Sequence, residues 1–171
     1  MPSHLIENML VEQYMKEAEY SISLGDALDM KANIWLVVIT FLATQTAYFL
    51  SKDLHGCIFW GQVASALLLI IAGLLSLWEL RPRDYLLFRP SSGAIQAKLE
   101  KLRHVHADSA HKDELIESEI LNAQMVWAKQ RTESNMAIND EKSALINWSF
   151  WLAAGSFVLN FVTLLSLFKP S

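Results

Sequence analysis

Three long apolar blocks, Ala32 to Ser51, Cys57 to Leu80 and Ile146 to Phe168, restrict this chain more than anything else in it. Each reaches or approaches the roughly 20 consecutive apolar residues that cross a bilayer core. A core helix of that length in a soluble domain shows a polar face, and these blocks barely do. The first is the most polar, with Thr40, Thr44, Gln45 and Thr46. The rest of the chain is rich in charge, so the 53% hydrophobic content is concentrated in the blocks. The fold class expected is an all-α membrane protein, three transmembrane helices with a cytoplasmic helical stem. The expected boundaries are 1–31 for a cytoplasmic amphipathic helix, 32–51, 57–80 and 146–168 for the spans, and 81–145 for a cytoplasmic helical region.

Charge sets the expected orientation. Of 14 Lys and Arg, only Lys52, between the first two spans, and Lys169, after the third, lie on one side. Lys31, Arg81, Arg83, Arg89 and Lys142 lie close to the spans on the other side, which the positive-inside rule assigns to the cytoplasm. Trp35, Trp78, Trp148 and Trp151 at the inner edges and Trp60 at an outer edge suit an aromatic belt. The chain is therefore expected in the inner (plasma) membrane as a multi-pass protein with a cytoplasmic N-terminus. The first 31 residues, with Glu7, Glu12, Lys16 and Asp26, lack the basic-then-apolar pattern of a secretory leader, so the first span is expected to act as its own insertion signal. A net charge of −4 argues against nucleic-acid binding, and the single cysteine, Cys57, excludes an internal disulfide while leaving an intermolecular one open.

Between Gly93 and Gly155 there is neither glycine nor proline. Ile95, Leu99 and Leu102, then Ile116, Ile120, Ala123 and Trp127, recur at helical steps of three and four. A break is expected at "HADSAH", where Asp108 or Ser109 can cap a second helix with Asp113 and Glu114 in its first turn. That helix is expected to run from about residue 110 into the third span. Leu5, Met9, Tyr14, Ala18 and Ile22 form a similar stripe near the N-terminus. Such stripes must be buried against each other or against a neighbouring subunit.

The stretch "DALDMKANIW" places Asp29 and Lys31 at the edge of the first span. Two residues apart on a helix, they do not face each other. Partners at the same depth are Asp140 and Lys142 before the third span and Arg81 and Arg83 after the second. A charge cluster of Asp29, Lys31, Arg81, Arg83, Asp140 and Lys142 would lock the register of three helices. The plainer alternative is a Lys31 that snorkels to the headgroups and a solvated Asp29.

Asp29-Met30-Lys31-Ala32 before a span, "LRPRDY" (Leu80 to Tyr85) after the second, and Lys142 leading into the third resemble the Pycsar transmembrane effectors of bacterial anti-phage defence. Related SLATT-like membrane proteins share a similar layout. The resemblance runs from about residue 20 to 168 and rests on these three short anchors. It implies an effector that lies silent in the inner membrane, responds to a cyclic pyrimidine nucleotide made by a partner cyclase, and forms a homo-oligomer that impairs membrane integrity. Membrane lipids and further copies of the chain are then its expected partners.

Other constellations are weaker. His104, Asp108 and His111 share a face on an uninterrupted helix, but a structural zinc site needs a fourth ligand, so no metal is expected. Ser149, Ala153, Ser156, Asn160 and Thr163 form a small, polar stripe, read either as a pore lining after oligomerisation or as ordinary helix packing. Gly61 and Ser65, then Ala72 and Ser76, repeat small-residue spacing in the second span. Arg81, Arg83 and Arg89 suit anionic headgroups or a nucleotide phosphate, and Tyr14, Tyr20, Tyr85, Phe88 and Trp127 are the aromatics available for base stacking. No glycine-rich phosphate loop and no nucleophile in a strand-turn-helix context is present, so neither catalysis nor a cofactor is expected. The rival readings are a constitutive small channel or a scaffold subunit of a larger membrane complex.

Overall fold

The computed structural model describes residues 2–52, 54–86, 92–107 and 109–168. The Leu5 side chain and Phe88, Arg89, Asp108 and Lys169, all invoked above, lie outside the described residues. Four helices make up the chain in the order α1 (Pro2–Leu50), α2 (Cys57–Glu79), α3 (Ser92–Val105) and α4 (Lys112–Leu167), with no strand among the described residues. The fold is all-α, and α1, α2 and α4 are long and apolar enough to cross a membrane.

The helix ends follow from local chemistry. Between α1 and α2 the backbone turns at Gly56, whose φ of 63° is a conformation that side chains with a Cβ rarely adopt. α2 closes at Leu80, and Pro82, which lacks an N–H, bars its continuation. α3 stops at Val105, immediately before the expected break, and the Ser109 hydroxyl accepts from the His111 N–H just before α4. Asp113 and Glu114 occupy the first turn of α4, where carboxylates offset the exposed N–H groups. α4 then runs 56 residues without interruption. Likewise α1 passes unbroken through the expected boundary at residue 31, so any border there is one of environment and not of backbone.

The chain forms two compact units. The first comprises residues 1–24 and 84–138. Its buried positions include Ala18, Leu102 and Ile116, from the apolar stripes of three helices, and Ala128, which lies beside the half-buried Trp127 of the α4 stripe. Asn135 is fully buried there: its carbonyl accepts from the Leu86 N–H at 2.9 Å. Lys98 lies over the Trp127 ring, and His106 meets Glu119 at 3.0 Å. Met9, placed in the N-terminal stripe by its spacing, is exposed.

The second unit, residues 25–83 and 139–171, holds the three apolar segments. Its buried positions repeat at alternating steps of three and four: Gln62, Ser65, Leu69, Ala72, Ser76 and Glu79 on α2, and Leu28, Ala32, Ile39, Leu42, Thr46 and Phe49 on α1, where the half-buried Trp35 fills the place between Ala32 and Ile39. On α4 the same rhythm runs through Asn139, Lys142, Ile146, Ser149, Ala153, Ser156, Asn160 and Thr163. A mean period near 3.5 residues keeps each seam facing its neighbours in a left-handed bundle. The outward positions are apolar and large, among them Leu67, Ile70 and Leu74 on α2 and Phe157, Val158 and Phe161 on α4. This inversion, polar inside and apolar outside, is what a lipid environment favours.

Candidate functional site

Lys142, 2% exposed, is the largest of the nearly fully buried side chains of the membrane unit. Its ammonium donates to Asp29 of α1 and stands 3.8 Å from Glu79 of α2, so one lysine joins three helices. Asp29 keeps part of its surface in solvent, whereas Glu79 is completely buried and neither of its oxygens has a hydrogen-bond partner among the described residues. Beyond the end of α2, Arg83 grips Glu141 through two bonds of 2.7 and 3.0 Å, and its buried Nε has no hydrogen-bond partner among the described residues. Two carboxylates facing one ammonium make this a layer of incomplete charge compensation, and removing a partner from a buried pair is costly.

Of the six residues expected in the charge cluster, Asp29 and Lys142 meet each other and Arg83 lies at the same end of the unit. Lys31 and Asp140 are exposed, and Arg81 is exposed beside the Trp78 ring. Two residues apart on one helix cannot both face inward, so Asp29 excludes Lys31 and Lys142 excludes Asp140. Glu79 and Glu141 were missed from sequence. Glu79 is the sole acidic residue of the block 57–80, a signal that its position at the block's end concealed.

A second polar layer lies further along the bundle. The Asn160 amide donates to Thr46 Oγ1 at 3.0 Å, and its carbonyl accepts from Ser65 Oγ at 3.2 Å. Ser65 and Ser156 hydroxyls meet at 2.7 Å. One turn on, Gln62 donates to Thr163 Oγ1 at 2.6 Å while its carbonyl oxygen stays buried without a partner among the described residues. Ser76 and Ser149, hydroxyls 2.7 Å apart, bond nearer the Lys142 end. Between the two sets sits an apolar plug of Ile39, Leu42, Leu69, Ala72 and Ala153. The α4 stripe Ser149, Ser156, Asn160 and Thr163 is therefore buried within one chain and bonded to α1 and α2. Gln62, the sole amide of its block, and Thr46 complete a network that small-residue spacing alone did not reveal.

No metal-holding group of three His, Cys, Asp or Glu occurs among the described residues. His104 is exposed on α3, and His111 lies 3.4 Å from Glu114.

These features define a three-span α-helical membrane protein with a charged layer and a polar layer inside the bundle and large apolar side chains over most of its outer surface. Residues 17–169 match the family model described as the Pycsar effector protein domain, and the chain belongs to that family. It is accordingly a multi-pass membrane effector of anti-phage defence. Neither the curated proteins nor the solved structures provide a match.

Proposed function

We propose that this effector impairs the integrity of the bacterial inner membrane, without catalysis, when a cyclic pyrimidine nucleotide signals infection, and that it does so as a homo-oligomer. The positive-inside distribution of Lys and Arg supports a cytoplasmic N-terminus and a cytoplasmic first unit. The observation that carries the reading is the polar interior of the membrane unit. A passive anchor has no use for a buried Lys142 beside a buried Glu79, or for a buried Gln62 carbonyl, when among the described residues neither Glu79 nor that carbonyl accepts a hydrogen bond. Intramembrane ionisable groups mark pathways and switches, because they are expensive to keep.

The same layers account for silence at rest. The plug of Ile39, Leu42, Leu69, Ala72 and Ala153 separates the polar groups at the two ends, and an apolar constriction blocks permeation by dewetting. Parting the helices lets water reach hydroxyls and amides that already line the interior. The latch of Asp29, Lys142 and Glu79 opposes that movement.

The test is membrane potential and dye entry in cells expressing the chain, with and without cyclic UMP or cyclic CMP. Depolarisation only with nucleotide is expected. Depolarisation regardless of nucleotide would instead assign a constitutive channel, and no depolarisation in either case would assign a scaffold.

A further inference from the structure

The charges of the membrane unit's interior gather at one end of it. Residues 32–50 of α1, 57–78 of α2 and 143–167 of α4 contain no Asp, Glu, Lys or Arg. What fills the interior along those stretches is neutral: the Ser76–Ser149 pair, the apolar plug, and the network around Asn160 and Gln62. At the charged end the balance is uneven. Arg83, past Pro82 and outside the helix, commits two nitrogens to Glu141, and Lys142 donates to Asp29. Glu79, with no exposed surface, has the Lys142 ammonium at 3.8 Å, beyond hydrogen-bonding distance. Of the three carboxylates in this layer, it is the least compensated.

The far end of the same helix carries a second oxygen in need of a positive partner. Gln62 Nε2 donates to Thr163 Oγ1 at 2.6 Å and to the Leu159 carbonyl at 3.4 Å. A carbonyl only accepts, which fixes the nitrogen on that side and leaves Oε1 as the buried atom without a partner among the described residues. Within the spans, the buried side-chain atoms that lack a hydrogen bond among the described residues are thus all oxygens: Glu79 Oε1 and Oε2, and Gln62 Oε1. Carboxylate and carbonyl oxygens are the ligands of hard cations, and acidic side chains lining a pore select cations over anions.

We propose that the opened membrane unit passes small monovalent cations in preference to anions, and that Glu79 sets this preference. The proposal rests on the functional reading above, in which the helices part. Moving α2 away from α4 separates Glu79 from Lys142, whereas Asp29, on α1, keeps the lysine. The Glu79 carboxylate then stands at the entrance of a passage that has no Lys or Arg further along its three walls. A fixed negative charge between apolar walls draws cations in and holds anions off, because a low-dielectric surround strengthens its field. Beyond the plug, the Gln62 carbonyl offers the same cation an oxygen in place of water.

Current through planar bilayers holding the full-length protein is recorded across a potassium chloride gradient. The protein is opened by cyclic UMP or, without nucleotide, by Leu69→Asn, which puts an amide into the plug. The reversal potential is expected to lie toward that of K⁺. Glu79→Gln is expected to lower the preference for K⁺ over Cl⁻ several-fold, and Glu79→Asp, which keeps the carboxylate, to retain it. A reversal potential at zero or toward that of Cl⁻, read on the protein with Glu79 in place, overturns the cation preference whether or not the Glu79 variants fold. A preference that Glu79→Gln leaves intact overturns the part assigned to Glu79. A cation-selective current with Leu69→Asn but none with cyclic UMP supports the proposal and counts against the nucleotide response alone. No current under either condition overturns the functional reading and the proposal together.

Discussion

Lys142 is held in the bundle by two carboxylates from other helices, and the value of each group depends on the others being present. Lys142→Met leaves Asp29 and Glu79 facing each other without a cation, and breaking a buried pair in this way costs about 3–5 kcal/mol. Asp29 is partly exposed, which places the expected loss near the lower end of that range. The triple variant Asp29→Asn, Glu79→Gln, Lys142→Met removes charge from all three and is expected to regain most of the loss. Unfolding of the two proteins by added denaturing detergent compares them directly, and a triple variant no more stable than Lys142→Met would contradict the latch. At this scale the sequence was legible up to a choice of face. Charges clustered at the membrane entrance are visible in "DALDMKANIW" and "NDEKSALINW", but which member of each Asp-x-Lys pair turns inward depends on the rotation of the helix, fixed by packing. Asp29 faces in on α1, and Lys142, the other member type, faces in on α4.

At the scale of elements, the three spans and the break between α3 and α4 were readable because each follows from length and local chemistry. The roughly 20-residue apolar requirement marks the spans, and "HADSAH" interrupts a run free of glycine and proline. The pairing of Asn160 with Thr46 and Ser65 was not readable, because it depends on the depth at which three separate helices align. Those pairs are worth on the order of 1 kcal/mol each in membrane bundles, enough to fix register when repeated. Between the polar layers, Leu69 is the largest contribution of α2 to the plug. Leu69→Asn is expected to hydrate that constriction and produce leakage without nucleotide, read as dye loss from cells expressing the variant. Expression at the parent level with no leakage would show that the plug does not hold the membrane unit closed.

For the whole molecule, composition and charge placed all-α architecture and membrane insertion within reach of the sequence, since both rest on where apolar residues accumulate. The division into two units falls at 24/25, 83/84 and 138/139, inside continuous helices at its first and last borders, and no change of composition marks it there. In the proposed function, membrane damage runs through the parting of α2 from α4. Ser76 and Ser149, whose hydroxyls lie 2.7 Å apart, offer the means to forbid that movement. The double substitution Ser76→Cys, Ser149→Cys in a Cys57→Ser background places two thiols where a disulfide can bridge the helices. Ion flux from proteoliposomes holding this variant is then followed on adding cyclic UMP, before and after reduction. No flux is expected while the bridge is closed, and nucleotide-triggered flux once it is reduced; equal flux in the two states would contradict the proposed function.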